Sequence, residues 1–174
     1  MLKTEFSGGL VTAKSDELKH VDIYTDGGSK PNPGPGGYAA VLLFGEKRKE
    51  ISKAFRKTTN NRMELSAAIA GLEALQFSCK VTLYTDSKYL ADGISKGWAK
   101  SWRRNGWVQG DKTKAINPDL WAKLLDLCET HKVTFEWVRG HSGNPENERC
   151  DELSTLARES KVLSIDEGYE NPGR

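Results

Sequence analysis

The chain has 174 residues, 37% hydrophobic and 29% charged, with a net charge of +2. That composition excludes disordered, collagen-like and disulfide-scaffold classes and fits one ordinary globular domain with a sizeable core. So small a net charge names no partner, and the distribution of charge along the chain matters more than its total.

Residues 1–19 show no steady period and contain Gly8-Gly9, so they are expected to form a loosely ordered N-terminal extension. VDIYTD (21–26) alternates apolar and polar residues as a strand does. GGSKPNPGPGG then reads as a long turn-forming segment. GYAAVLLFG and KEISKAFRK read as two further strands with a turn near Gly45-Glu46, antiparallel neighbours of the first. In NNRMELSAAIAGLEALQ the period changes, with Leu65, Ile69, Leu72 and Leu75 at helical spacing. KVTLYTD (80–86) is a strand and SKYLADGIS a short helix, followed by a polar, tryptophan-rich segment. Asn117 and Pro118 give the start of a helix over 117–131, with Asn117 as its cap. KVTFEWVRG is a fifth strand, and GNPENERCDELSTLARES is a last helix with the same Asn-Pro start. The order is βββαβααβα, an α/β arrangement.

A strand returning through a helix comes back parallel, so strands one, four and five are expected to share a direction. Their C-terminal ends carry Asp26, Asp86 and Arg139-Gly140-His141 to one sheet edge, where sites form in open sheets. The two Tyr-Thr-Asp strand ends would then put two aspartates side by side.

Each acid also has a plain reading. Asp26-Gly27 is a turn dipeptide and Asp86-Ser87 a helix cap. Asn61 and Glu64 have capping-box spacing, and Asp151 lies among the acids of a helix face. Taken together, the set points elsewhere. Carboxylates gathered at one place repel and raise each other's pKa values, so they call for a cation. An all-oxygen donor set without His or Cys favours Mg²⁺ or Mn²⁺ over zinc. Two such ions can clamp the attacking and leaving oxygens of a phosphodiester displacement. His141, in the glycine-flanked RGHSGN, is either a surface histidine or a mobile proton carrier.

Residues 96–114 carry six Lys or Arg and three tryptophans. Trp98 and Trp102, four apart, could pin a helix to the core. Interleaved with Arg103 and Arg104, they also suit a nucleic-acid surface. Asn32, Asn60 and Asn61 fall in loops, where they hold turns or meet a groove.

Cys79, Cys128 and Cys150 are odd in number and include no C-x-x-C pair, so reduced core thiols are expected. No signal-peptide pattern is present, and the longest apolar run is too short to span a bilayer. A cytoplasmic protein without a membrane partner is the expectation.

The stretches YTDGGSKPNPGPGGYAAVL, TTNNRMELSAAIAGLEAL, YTDSKYL, GWAKSWRRNGW and WVRGHSGNPENERCDELS resemble, in order, the type 1 ribonuclease H family in its bacterial ribonuclease HI form. The resemblance covers residues 20–160 as a catalytic domain and leaves 161–174 as a C-terminal tail. It implies a ribonuclease H-like, five-stranded mixed sheet flanked by helices, and a monomer is the default expectation. It implies an endonuclease that hydrolyses the RNA strand of an RNA–DNA hybrid, leaving 5′-phosphate and 3′-hydroxyl ends.

By that resemblance Asp26, Glu64, Asp86 and Asp151 hold two Mg²⁺ ions, with Mn²⁺ an alternative, and His141 helps protons or product leave. Asp26 bridges both ions, Glu64 and Asp86 favour the nucleophile side, and Asp151 holds the other ion. Asn32, Asn60 and Asn61 read the groove, and Thr59 with Lys57 meets a DNA phosphate. The segment with Trp98, Trp102, Arg103 and Arg104 is a basic protrusion for the DNA strand. Lys88 stands where the bacterial form often has glutamine, which exchanges a base contact for a phosphate contact. Residues 1–19 have no counterpart in the short bacterial form and are too few for a separate hybrid-binding domain. Two other readings stay open from the residues alone: a same-fold metal-dependent DNA nuclease, and a non-catalytic hybrid-binding module.

Overall fold

The computed structural model describes residues 18–174, so all but Leu18 and Lys19 of the N-terminal extension lies outside the described residues. Five strands form one sheet: β1 (His20–Ser29), β2 (Gly34–Phe44), β3 (Lys47–Thr58), β4 (Lys80–Thr85) and β5 (Lys132–Trp137). Their order across the sheet is β3-β2-β1-β4-β5. β1–β2 and β2–β3 pair antiparallel, while β1–β4 and β4–β5 pair parallel. The helices are α1 (Asn60–Glu73), α2 (Lys88–Ser95), α3 (Trp98–Arg104), α4 (Pro118–Thr130), α5 (Pro145–Glu159) and α6 (Glu167–Glu170). Short α3 and α6 add to the expected order; α3 lies within the tryptophan-rich segment.

Strand alternation divides the core into two layers. Val21, Ile23, Ala40, Leu42, Val81 and Leu83 bury one face beneath Leu65, Ala68 and Leu72 of α1 and Trp121 and Leu124 of α4. Ala39 and Val41 bury the other beneath Cys150 of α5, with Tyr24, Leu43 and Leu153 alongside. Cys79 and Cys150 are free, buried thiols, and Cys128 is a free, half-buried one. Among the described residues no helix is long and apolar enough to cross a membrane.

Two caps differ from their sequence readings. Thr59, not Asn61, caps α1, its hydroxyl accepting from the Arg62 N–H at 3.3 Å. Glu64 therefore falls two residues further in, at the fifth helical position, and is free of any capping-box duty. Asn117 precedes α4 in a left-handed conformation but makes no capping bond. Its carboxamide oxygen instead accepts from Arg62 Nη1 at 3.2 Å, and its nitrogen donates to Tyr89 at 3.3 Å. Asn144 does cap α5, accepting from the N–H groups of Glu146 and Asn147.

The last fourteen residues, read from sequence as a tail, are docked on the sheet edge. Ser164 exchanges main-chain hydrogen bonds with Ala54 and Arg56 of β3, both at 2.9 Å. Asp166 follows as the partner of Arg62, a guanidinium only 3% exposed. Arg62 Nε and Nη2 reach Asp166 at 2.8 and 2.9 Å, and Nη1 and Nη2 reach Asp119 at 2.9 and 2.7 Å. Thr58 donates to the same Asp166 oxygen at 2.7 Å. Burial works against the Arg62 charge, but the bonds to Asp119 and Asp166 outweigh it and hold its pKa above the ordinary value. This cluster fixes the first turn of α1, two residues before Glu64.

Breaking a buried pair by removing one partner leaves an uncompensated charge and costs about 3–5 kcal/mol. Asp119 still serves Arg62 when Asp166 is lost, so Asp166→Ala is expected at the low end, about 3 kcal/mol by urea unfolding. A loss below about 1 kcal/mol, the level of an exposed pair, would contradict a structural clamp here.

Candidate active site

The parallel register between β1 and β4 puts Tyr24 beside Tyr84 and Thr25 beside Thr85. The tyrosine rings stack with centroids 4.4 Å apart. Thr25 Oγ1 donates to the Tyr84 carbonyl at 3.2 Å, and both threonines are fully buried. The next residues of the two strands, Asp26 and Asp86, are consequently brought to the same edge. Asp26 is not in a turn: β1 continues through Gly27 to Ser29, paired with β2. Nor does Asp86 cap a helix, since Ser87 accepts from the Leu90 N–H and caps α2.

Glu64 joins them because α1 approaches β1 at Gly27. A Cβ at that position would stand 2.5 Å from both the carbonyl carbon and oxygen of Met63, so only glycine permits the contact. One carboxylate oxygen from each of Asp26, Glu64 and Asp86 then lies within 4.8 Å of the others. Asp151, on α5, stands outside that group but near enough for its charge to raise the Asp26 pKa. Ion pairs of Arg149 with Glu50 (2.8 Å) and Arg48 with Glu146 (2.7 Å) link α5 to β3. These pairs are exposed and position the helix more than they stabilise it.

The electrostatics are those of crowded acids. Asp26 and Glu64 are each 8% exposed. Burial first, then the charges of Asp86 and Asp151, lift the Asp26 carboxyl to about 8. Burial first, then Asp26 and Asp86, push Glu64 well above the usual carboxylate range. The Gly27 amide opposes both rises. Asp86 is raised less simply: burial lifts it, while His141, its own amide and Asn147 pull it down. One buried oxygen of Glu64, Oε2, has no hydrogen-bond partner. A cluster of hard oxygen donors with an orphaned buried oxygen fits a divalent cation such as Mg²⁺ or Mn²⁺.

His141 lies on the exposed loop after β5, near enough to Asp86 to influence its charge. Its φ of 54° is in the left-handed region, where few non-glycine residues sit. Gly140 lets this loop close on the site, because a Cβ there would stand 2.7 Å from Asp86 Oδ2.

The asparagines have structural duties as well. Asn60 Oδ1 accepts from the Ser29 N–H at 2.7 Å, and Asn32 Oδ1 accepts from the Asn60 N–H at 3.1 Å. Together they fasten the turn between β1 and β2 to the start of α1. Their exposed amide nitrogens have no protein partner among the described residues and remain free to donate. Asn61 and Lys57 are exposed nearby in sequence.

α3 packs on α2 and α4, away from the acidic cluster in the chain. Trp102 is half-buried with its ring edge-on to Trp121 at 6.0 Å, so it does pin the helix. Trp98 is 43% exposed, with the Lys96 ammonium over its ring. Arg103 is engaged by Asp126 (2.7 Å) and Glu129 (2.9 Å) on α4. Arg104 is exposed and without an ion pair among the described residues.

Asn147 is the site residue that sequence reading missed. It is buried on α5 and near enough to Asp86 to lower the pKa of that carboxyl. Its signal was present: it lies four residues before Asp151, on the same helix face.

Comparison with known proteins gives concordant matches. The sequence profile described as RNase H matches residues 18–159. A ribonuclease H from Syntrophus aciditrophicus (strain SB) is 59% identical over 158 residues, covering 91% of each chain. A ribonuclease HI from Synechocystis sp. is 55% identical over 150 residues, covering 86% of this chain and 94% of the other. Among solved structures, LC9-RNase H1, a type 1 RNase H with the type 2 active-site motif, matches at a TM-score of 0.74 and 27% identity. That match covers 84% of this chain and 75% of the other.

Without a cation the crowded acids make stability depend on pH in a definite direction. Asp26 has a folded pKa of about 8, above its unfolded value. Its contribution is fully present below the unfolded pKa of about 4 and is lost as pH rises through the folded one. Asp26→Asn removes the charge, so in chelator its melting temperature should gain on wild type from pH ~5 to pH ~9. A constant difference across that range, measured by thermal melts, would contradict the crowding.

Proposed function

The chain belongs to the type 1 ribonuclease H family, and from that premise we propose which of its residues carry out hydrolysis of the RNA strand in RNA–DNA hybrids. The observation carrying this reading is the convergence of Asp26, Glu64 and Asp86 within 4.8 Å, with Asp151 beside Asp26. Residues 20–160 form the catalytic unit, working as a monomer in the cytoplasm, with 161–174 docked upon it.

Asp26, Glu64, Asp86 and Asp151 would hold divalent metal, Mg²⁺ by preference and Mn²⁺ as an alternative, two ions being the family's general mechanism. When bound, the ions supply a water nucleophile at neutral pH and charge stabilisation at the attacking and leaving oxygens. Asp26, whose charge is coupled to those of both Asp86 and Asp151, would help to hold both ions. Glu64 and Asp86 would serve the ion on the attacking side, and Asp151 the ion on the leaving side. Asn147 keeps the Asp86 carboxylate in place.

The attacking water gives up its two protons as the 5′-phosphate forms; the departing 3′ oxygen takes up one, and one is left to be cleared. An imidazole nitrogen of His141, on its exposed loop beside Asp86, takes that proton toward solvent. Its role is auxiliary because the imidazole stands outside the buried cluster.

The hybrid would lie along the face bearing the free amide nitrogens of Asn32 and Asn60, with Asn61 alongside. The 2′-hydroxyl distinguishes the RNA strand and serves recognition rather than attack. Thr59 caps α1 with its oxygen and keeps its hydroxyl proton to offer a DNA phosphate, with Lys57 nearby. On the protrusion, exposed Trp98 and Arg104 face the substrate, while Trp102 and Arg103 hold α3 in place for them.

A strand-labelled hybrid incubated with and without Mg²⁺ should be cut only in the RNA strand and only with metal, leaving 5′-phosphate ends. Duplex DNA cleavage, or binding without cleavage, would overturn the reading. Asp26→Asn should remove most turnover, by a factor of about 10²–10³, the scale of losing a charge-stabilising group. His141→Ala should cost about 10²-fold, within the range of a single proton carrier. Near wild-type turnover in Asp26→Asn would refute the assignment.

A further inference from the structure

Beside Asp86, the sheet edge carries two side chains that the acidic cluster does not explain. Lys88 is the first residue of α2. A cation is unfavourable there, because the unsatisfied N–H groups of a helix start already carry partial positive charge. Lys88 is exposed and makes no ion pair among the described residues. Its ammonium instead lies 5.1 Å from the centroid of the Trp137 ring.

Trp137 is the last residue of β5 and is 46% exposed. Its indole N–H donates to the main-chain carbonyl of Asp86 at 3.0 Å. The ring is therefore fixed to one of the metal-binding acids by its edge and carries a lysine on its face. Neither feature adds much to the core. A cation left without an anion, laid on an exposed indole, lacks only the anion.

We propose that Trp137 is a positioning residue that holds the Lys88 ammonium beside Asp86 to receive a backbone phosphate of the hybrid. The proposal rests on the hybrid-cleaving reading above. The chemistry selects phosphate over base. An ammonium has three donors and no acceptor, and it pairs with a phosphate oxygen as a point charge. A carboxamide at the same place, both donor and acceptor, would discriminate among base edges. With lysine here, the contact next to the acidic cluster carries no sequence information, and its strength depends on salt.

The test is binding of an RNA–DNA hybrid by fluorescence anisotropy across a salt series, with Mg²⁺, in an Asp26→Asn background that does not consume the substrate. Lys88→Gln should lower the salt slope by about 0.7–1, the value of one lost phosphate contact, while Lys88→Arg should retain it. Trp137→Leu should weaken binding about two- to fivefold, and Trp137→Phe, which keeps an aromatic face, should weaken it less. In the Lys88→Gln background, Trp137→Leu should have no further effect, because the indole acts through the lysine. Thermal melts identify any variant that has lost its fold, and Trp137→Phe with Lys88→Gln then completes the same cycle. An unchanged salt slope in Lys88→Gln, or equal losses from the tryptophan substitution with and without Lys88, would overturn the proposal. Cleavage of labelled hybrid by wild type is scored separately. Loss of the coupling with cleavage intact sinks this proposal alone, whereas absence of cleavage sinks the reading beneath it.

Discussion

Mutual repulsion among carboxylates in a poorly hydrated corner is the constraint around which this molecule is arranged. Each acid near Asp26 raises the cost of ionising the others, and burial adds to that cost. Left to relax, such side chains would turn to solvent. They do not, because the backbone beneath each is fixed by contacts unrelated to the charges. The acids remain crowded and short of a counter-charge, which is the condition a divalent cation relieves.

Three separate devices maintain that crowding. The register of β1 on β4, held by stacked tyrosines and buried threonines, sets Asp26 against Asp86. The absence of a side chain at Gly27 lets α1 bring Glu64 close. The Arg62 cluster, completed from the far end of the chain by Asp166, anchors the turn of α1 that precedes Glu64. None of the three touches substrate in this account, yet each determines where a reacting group stands. The last fourteen residues thus belong to the architecture that serves the site, at a distance of about a hundred positions in sequence from the arginine they hold.

Much of this was legible in the sequence, for identifiable reasons. The repeated Tyr-Thr-Asp ends revealed the parallel edge because strand period and βαβ handedness are strong rules. The helices over Leu65–Leu72 and Leu120–Leu127 were legible from their apolar spacing. What escaped was set by partners distant in the chain. Asn61 and Asn117 have the right chemistry for caps, but Thr59 took the first position and Arg62 claimed the second residue's oxygen. Asp26-Gly27 looked like a turn because glycine serves turns and close packing alike, and only the position of Met63 decides which. The docking of Asp166 left no periodic trace, since four residues of helix are too few to show one. The ion pairs of Arg103 with Asp126 and Glu129, more than twenty residues away, likewise left no trace in the sequence.

Crowding and burial raise the affinity of the acidic cluster for protons, which a bound cation must displace. Calorimetric titration of Mg²⁺ into the protein near pH ~7, repeated in buffers of different ionisation heat, counts those protons directly. Net proton release on binding is the expected result, diminished in Asp26→Asn. Binding of Mg²⁺ with no proton exchanged would contradict it.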